Sequence, residues 1–319
     1  MDFDIEYVTH LVHGRDVTFA LRRGIRDRYL DGIRTGKLQI DTLSYFNFRA
    51  DELGRAMTVV DVGANIGALS LPLAAAGHRV IGIEADPNNF ACLLAAKKAN
   101  PGTDFLPVNL AATDRFRMVF LESDSAWTQV TDSPASGRSA LGMPLVDIID
   151  TFGFADADLI KMDIEGSELA ALTGIEPFIA NNPDVEFVYE SNFEACDFYG
   201  HTRQDLARRF EDLGYSLYCF RPQGDLMRYS SSQPQGVAVA DMLATKRDIS
   251  GVGYAPVVDY DFDWSELEIR KALNRPMEVQ QQHALDQIRH CRPAFVESDL
   301  WKRAYQAYLD KNPASASGA

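Results

Sequence analysis

Apolar and polar residues alternate through IEYVTHLV and DVTFAL, on either side of His13-Gly14-Arg15, which predicts a β-hairpin. Helical spacing of apolar positions predicts two helices, over 22–34 and 40–54. From residue 58 the pattern changes to short continuous apolar runs alternating with helical stretches. TVVDVG, HRVIGIEAD, DFLPVNLAA, DLIKMDIEG, DVEFVYES, YSLYCF and VAVADMLATK read as seven strands in that order. Between them lie ALSLPLAAAG, ended by Gly77, and NNFACLLAAKKAN, opened by Pro87 and closed by Asn100-Pro101-Gly102. SELAALTG and a helix over 203–213, capped by Thr202, complete the set. Repeated β-α units with apolar strands predict an α/β fold: a mostly parallel, doubly wound sheet covered on both faces, with a last strand that runs antiparallel. Two stretches rich in Ser, Gly, Asp and Pro, over 122–142 and 221–236, read as long surface loops. WSELEIRKALNR, MEVQQQHALDQIRH and SDLWKRAYQAYLDK read as three helices with apolar stripes, and these either pack on the domain or join copies of the chain in a homo-oligomer. The expected organisation is 1–55, hairpin and helices; 56–249, the α/β domain; and 250–319, a helical extension.

Composition narrows the classes. The chain has 319 residues, 46% hydrophobic and 24% charged, enough apolar material for a core. No run of eighteen apolar residues suggests a membrane span, and MDFDIEYVTH does not resemble a signal peptide, so a cytoplasmic protein is expected. Cys92, Cys196, Cys219 and Cys291 stand far apart and form no CxxC, against disulfides and zinc sites. With 31 Lys and Arg against 46 Asp and Glu, the formal charge is −15, and such a surface repels a phosphate backbone. The basic stretch Arg22, Arg23, Arg26, Arg28, Arg34 and Lys37 is read as a solvated helix face, and no nucleic-acid partner is expected.

Three segments carry chemistry. The first is Val59-Val60-Asp61-Val62-Gly63-Ala64-Asn65-Ile66-Gly67, a buried strand ending in a tight turn of small residues. At the mouth of a parallel sheet, such a turn lets a nucleotide cofactor approach the backbone at a helix start. A dinucleotide site wants glycine at position 65. Asn65 and the D-x-G-x-N-x-G register instead fit an S-adenosylmethionine site. The second is Glu84, which ends the next strand 21 residues after Gly63, where a carboxylate accepts the ribose hydroxyls. Asp86 caps the helix that follows. The third is Lys161-Met162-Asp163-Ile164-Glu165-Gly166-Ser167, at the end of the fourth strand. Asp163 and Glu165 share one side of an extended chain there. Asp163 lies toward the cofactor's reactive end, where it positions a hydroxyl, acts as base or ligates a divalent metal such as magnesium. Lys161 pairs with a carboxylate. Glu190, ending the fifth strand, and His201, in the loop beyond, are further candidates for the base.

DVGANIGALSLPLA, VIGIEADPNNFACL, LIKMDIEGSELAALTGI and VEFVYES, in this order, resemble the FkbM family of S-adenosylmethionine-dependent methyltransferases. The resemblance covers roughly 56–247. In that family Asn stands where other methyltransferases have the second Gly, so Asn65 is the expected residue. The resemblance implies a seven-stranded Rossmann-like methyltransferase sheet. It implies that Asp61, Gly63, Ala64, Asn65 and Gly67 hold the methionine moiety and Glu84 the ribose. Ala85 and the chain between Asn109 and Asp114, with Ala112, would flank the adenosine, and Asp163 would border the cofactor. It implies methyl transfer to oxygen, on a sugar, glycan or natural-product hydroxyl. The competing readings are a non-catalytic interaction module on the same fold, a nucleic-acid methyltransferase, which DIEG in place of an N/D-P-P-Y/F segment disfavours, and a dinucleotide oxidoreductase.

Overall fold

A computed structural model of the chain describes residues 4–26, 28–36, 40–122, 129–131, 137–221, 224–233 and 239–260, with 302 and 306. The three helices expected after residue 260 lie outside the described residues, as does Cys291.

The hairpin forms as the alternation predicts. β1 (Ile5–Val12) and β2 (Arg15–Arg22) pair antiparallel from Ile5↔Arg22 to Val12↔Arg15. The two loop residues, His13 (φ 47°) and Gly14 (φ 77°), both take the left-handed conformation, whose twist matches that of the paired strands. The first helix begins later than predicted. Arg22 is held in the strand ladder and Gly24 takes φ 80°, so α1 spans Arg28–Arg34. α2 spans Ile40–Leu53. The basic stretch is paired with acids: Arg23 with Asp4 at 2.7 Å, Arg26 with Asp31 at 3.4 Å, and Arg34 with Glu6 at 2.6 Å and Asp31 at 2.8 Å.

The α/β region runs β3 (Thr58–Val62), α3 (Ser70–Ala75), β4 (Arg79–Ile83), α4 (Pro87–Ala99) and β5 (Phe105–Val108). After an insertion come α5 (Leu145–Phe152), β10 (Leu159–Met162), α6 (Glu168–Thr173), α7 (Glu176–Asn181), β11 (Glu186–Asn192), α8 (Phe193–Phe198), α9 (Arg203–Asp212) and β12 (Ser216–Phe220). β13 (Leu226–Tyr229), β14 (Val239–Thr245) and β15 (Val257–Val258) close the described chain. The order across the sheet is β15-β13-β12-β14-β11-β10-β3-β4-β5. The seven predicted strands are all present. β3, β4, β5, β10 and β11 are parallel, and β14 runs antiparallel to β11 and β12. Asp86 caps α4 by accepting the Asn88 amide at 2.7 Å, and Thr202 and Asp205 form a reciprocal capping box on α9.

Both stretches read as surface loops contain strands. In 221–236, β13 buries Leu226, Met227 and Tyr229 and pairs with β12, so with β15 the sheet has nine strands among the described residues. In 122–142, β8 (Gln129–Thr131) and β9 (Ser139–Pro144) join β7 (Arg117–Glu122) and β6 (Ala111–Thr113) in a second sheet, ordered β6-β9-β7-β8. DFLPVNLAA is accordingly two strands: β5 belongs to the large sheet and β6 to the small one. Ala111, Val119 and Ala140 form a small core of their own there.

Two apolar layers enclose the large sheet. One contains Val60, Ile81, Ile160, Phe187 and Phe210. The other joins Val59, Leu69, Val80 and Leu93 to Val17, Phe19, Leu30, Ile33 and Phe46 of the N-terminal elements. Asn100 fastens the hairpin to α4, accepting the Thr18 amide at 3.0 Å and donating to its carbonyl at 2.7 Å. Cys92, Cys196 and Cys219 are buried free thiols. No helix among the described residues is long and apolar enough to cross a membrane.

Candidate active site

β3 is buried along its whole length and delivers Gly63 to the C-terminal edge of the sheet. Gly63 takes φ 82°, and a Cβ there would lie 1.8 Å from the Asp163 carbonyl oxygen, so only glycine lets the turn close against the next strand. Asn65 takes φ 50°, a left-handed conformation that Asn tolerates better than most residues. The turn's amides are already bonded. Those of Gly63 and Ala64 donate to the Ile83 carbonyl at 2.9 and 3.0 Å, and that of Asn65 donates to Glu84 Oε2 at 2.7 Å. The turn therefore offers close approach to its surface rather than free donors. Asp61 lies beneath it, 1% exposed, with Oδ2 accepting from Ser70 at 2.5 Å and Oδ1 at 3.7 Å from Lys161 Nζ.

Glu84 is bound by two backbone donors, Asn65 N through Oε2 and Asp86 N at 2.8 Å through Oε1. Burial pushes its carboxyl up to about 7 despite those donors. Asn109 donates to the carbonyls of Glu84 at 2.8 Å and Ala85 at 3.0 Å, tying the end of β5 to the end of β4. A cavity opens beside these groups. Glu84, Ala85 and Leu110 line it together with Ala111, Ala112, Leu121 and Val130 of the small sheet. Arg138, also from the small sheet, pairs with Asp86.

A second cavity adjoins the first and shares Gly63, Asn65, Asp163 and Glu165 with it. Its remaining wall includes Asp61, Ala64, Lys161, Glu190 and Tyr29. Asp163 follows β10, and its Oδ2 lies 3.0 Å from Lys161 Nζ. Lys161 thus serves two carboxylates. Burial disfavours its charge, but Asp163 and Asp61 overcome that and hold its pKa above the usual value. Glu165 takes φ 52°, unusual for a long side chain, and Gly166 follows at φ 100° against the Ala195 carbonyl. β11 continues two residues past Glu190, so Asn192 belongs to the strand, and its amide donates to Glu165 at 3.4 Å and Glu190 at 3.3 Å. One oxygen from each of Asp163, Glu165 and Glu190 lies within 4.8 Å of the others. Burial, reinforced by the Asp163 charge, pushes Glu165 up to about 8 and Glu190 up to about 10.

The predicted residues divide into two groups. Asp61, Gly63, Ala64, Asn65, Glu84, Ala85, Ala112, Asp163, Glu165 and Glu190 line one or both cavities. Gly67, Asn109 and His201 line neither. Gly67 turns the chain at φ 90° beneath Leu71 and Leu93. His201 sits with Nε2 2.9 Å from the Gly166 carbonyl and Nδ1 3.3 Å from that of Thr202, where it braces the Glu165-Gly166 turn. Sequence reasoning did not find Tyr29, Arg138 or the small-sheet wall, which reach the site from distant parts of the chain; Arg138 and Asp86 stand 52 residues apart.

A doubly wound sheet with a D-x-G-x-N-x-G turn, an acidic residue ending the second strand and carboxylates ending the fourth defines a nucleotide-cofactor domain of the methyltransferase kind. Residues 61–217 match the model of the methyltransferase FkbM domain. Among solved structures, monomeric WbdD is similar at 14% identity, covering 73% of this chain and 44% of that one, with a TM-score of 0.42. Magnesium protoporphyrin IX methyltransferase (ChlM) from Synechocystis PCC 6803 with bound SAM is similar at 15% identity, over 70% of this chain and 86% of that one, with a TM-score of 0.41. The T. thermophilus 16S rRNA N2 G1207 methyltransferase (RsmC) in complex with AdoMet and guanosine is similar at 15% identity, over 77% and 52%, with a TM-score of 0.39. The chain thus spans less than half the length of the WbdD chain it matches. No curated protein matches it.

Proposed function

We propose that this protein is an S-adenosylmethionine-dependent O-methyltransferase acting on a hydroxyl of a sugar, glycan or hydroxylated small molecule. The observation that carries the reading is the pair of adjoining cavities with Gly63, Asn65, Asp163 and Glu165 at their boundary. The donor set suits the cofactor. Ala85, Leu110, Ala111 and Ala112 offer an apolar slot for adenine, and Glu84 offers a carboxylate to the ribose hydroxyls. The carboxylates of the second cavity complement the positive charges of the methionine end.

When bound, S-adenosylmethionine supplies an activated methyl group that passes to the acceptor oxygen as the carbon–sulfur bond breaks and its electron pair stays on sulfur. Positioning the hydroxyl about 3 Å from that methyl supplies much of the rate. Asp163 and Glu165, which border both cavities, are placed to orient the hydroxyl and take its proton. The Asn192 side-chain amide, which also donates to Glu190, holds Glu165. The acidic wall favours a neutral or cationic acceptor.

A second reading, activation of the hydroxyl by a divalent metal such as magnesium, rests on the cluster of Asp163, Glu165 and Glu190. Both are tested by transfer of labelled methyl from S-adenosylmethionine to a panel of sugars and hydroxylated metabolites, with magnesium and with chelator. Labelled ether product that survives the chelator supports the carboxylate mechanism. Product lost with the chelator supports the metal. Label found on nitrogen or carbon contradicts O-methylation.

A further inference from the structure

α1 precedes the segment that the family model matches, yet it reaches the second cavity. The helix is held from several sides. Leu30 and Ile33 are buried in the core shared with β2 and β3, Arg34 pairs with Glu6 and Asp31, and His10 Nε2 lies 2.5 Å from the Ile33 carbonyl. Tyr29, partly buried, packs against that core and lines the cavity beside Asn65, Lys161 and Asp163. Its hydroxyl makes no hydrogen bond among the described residues. Burial disfavours the phenolate, so the group stays a donor at neutral pH.

The cavity is unbalanced in its hydrogen-bonding chemistry. Acceptors are plentiful, from Asp61, Asp163, Glu165 and Glu190. Donors are few. The Lys161 ammonium serves Asp61 and Asp163, and the backbone amides of Gly63, Ala64 and Asn65 serve Ile83 and Glu84, which leaves the Asn65 side-chain amide and the Tyr29 hydroxyl. A ligand ammonium finds partners readily here, whereas a ligand carboxylate needs a donor, and Tyr29 brings one.

We propose that Tyr29 closes the amino-acid end of the cofactor cleft and donates its hydroxyl to the cofactor's α-carboxylate. The proposal rests on the cofactor assignment made above. It makes the N-terminal hairpin and α1 part of the binding site, with a contact that the family match does not contain.

Tyr29→Phe removes the hydroxyl and keeps the ring in its packing. Calorimetry compares wild type and variant with two probes, S-adenosylhomocysteine and 5′-methylthioadenosine, which shares the nucleoside and thioether but lacks the amino-acid end. The variant should bind S-adenosylhomocysteine tenfold or more weakly, about 1.4 kcal/mol, and bind 5′-methylthioadenosine within twofold of wild type. The second probe also reports that the variant is folded. Unchanged affinity for both probes overturns the role of Tyr29, and so does an equal loss for both, which would mean a general loosening of the cleft. Wild-type protein that binds neither probe overturns the cofactor assignment itself, and the proposal with it.

Discussion

Replacing Glu84 by Gln probes the cleft where backbone and cofactor contacts meet. The Glu84 carboxylate, 8% exposed, accepts the amides of Asn65 at 2.7 Å and Asp86 at 2.8 Å, one through each oxygen. Gln offers one oxygen and one NH2 in the same space, so one of the two backbone donors faces another donor. Leaving a buried donor unpaired costs about 1–3 kcal/mol. Near 2 kcal/mol, a domain of this size loses roughly 4–8 °C in Tm. The ribose hydroxyls lose a charged acceptor as well, at about 1.5–3 kcal/mol per bond, or roughly tenfold to a hundredfold in affinity. Burial pushes Glu84 up to about 7, so the comparison belongs at pH 8, where the wild-type group is ionised. Thermal melting and calorimetry with S-adenosylhomocysteine read the two effects separately. A folded variant with affinity within twofold of wild type would refute the assignment of Glu84 to the ribose.

Three further outcomes are expected. Gly63→Ala places a methyl 1.8 Å from the Asp163 carbonyl oxygen at φ 82°, so it should destabilise the protein by roughly 3 kcal/mol; an unchanged melting temperature would contradict the close approach of β3 to β10. Asp163→Asn should cut turnover a hundredfold or more, and an active variant removes Asp163 from the mechanism. Burial raises Glu84 and Glu168 to about 7 and Glu165 to about 8, above the ordinary carboxylate value of 4.5. The folded state thus binds extra protons between the unfolded and folded values, and ligand-free stability should fall as pH rises from about 4.5 through 8. A melting temperature that is flat or rises from pH 6 to 8.5 would count against the buried-carboxylate picture.

Much of the cavity lining was legible because its determinants are local. Gly63 and Gly67 have positive φ, and Asn65 takes the left-handed conformation in the position that sets this turn apart from the dinucleotide type. Glu84 and Asp163 could be placed because strand ends in a parallel sheet converge on one edge. Asp86 was correctly read as a helix cap because its bond to Asn88 spans two residues. What escaped depends on long-range pairing. The Ser- and Gly-rich 122–142 segment gives weak strand signals, and β9 forms by pairing with β7 and β6. Arg138 meets Asp86 across 52 residues, and Tyr29 reaches the β3 and β10 ends from beyond the β-α units. His201 was read as a candidate base in the loop beyond β11, and the structure places its Nε2 2.9 Å from the Gly166 carbonyl, outside the lining of both cavities.

The central claim is that the two joined cavities hold S-adenosylmethionine. Titration calorimetry of the full chain with S-adenosylmethionine and, separately, S-adenosylhomocysteine tests it most directly. The account predicts one site per chain with micromolar affinity for both. A folded protein that binds neither would contradict the account and leave a non-catalytic interaction module as the reading of this fold.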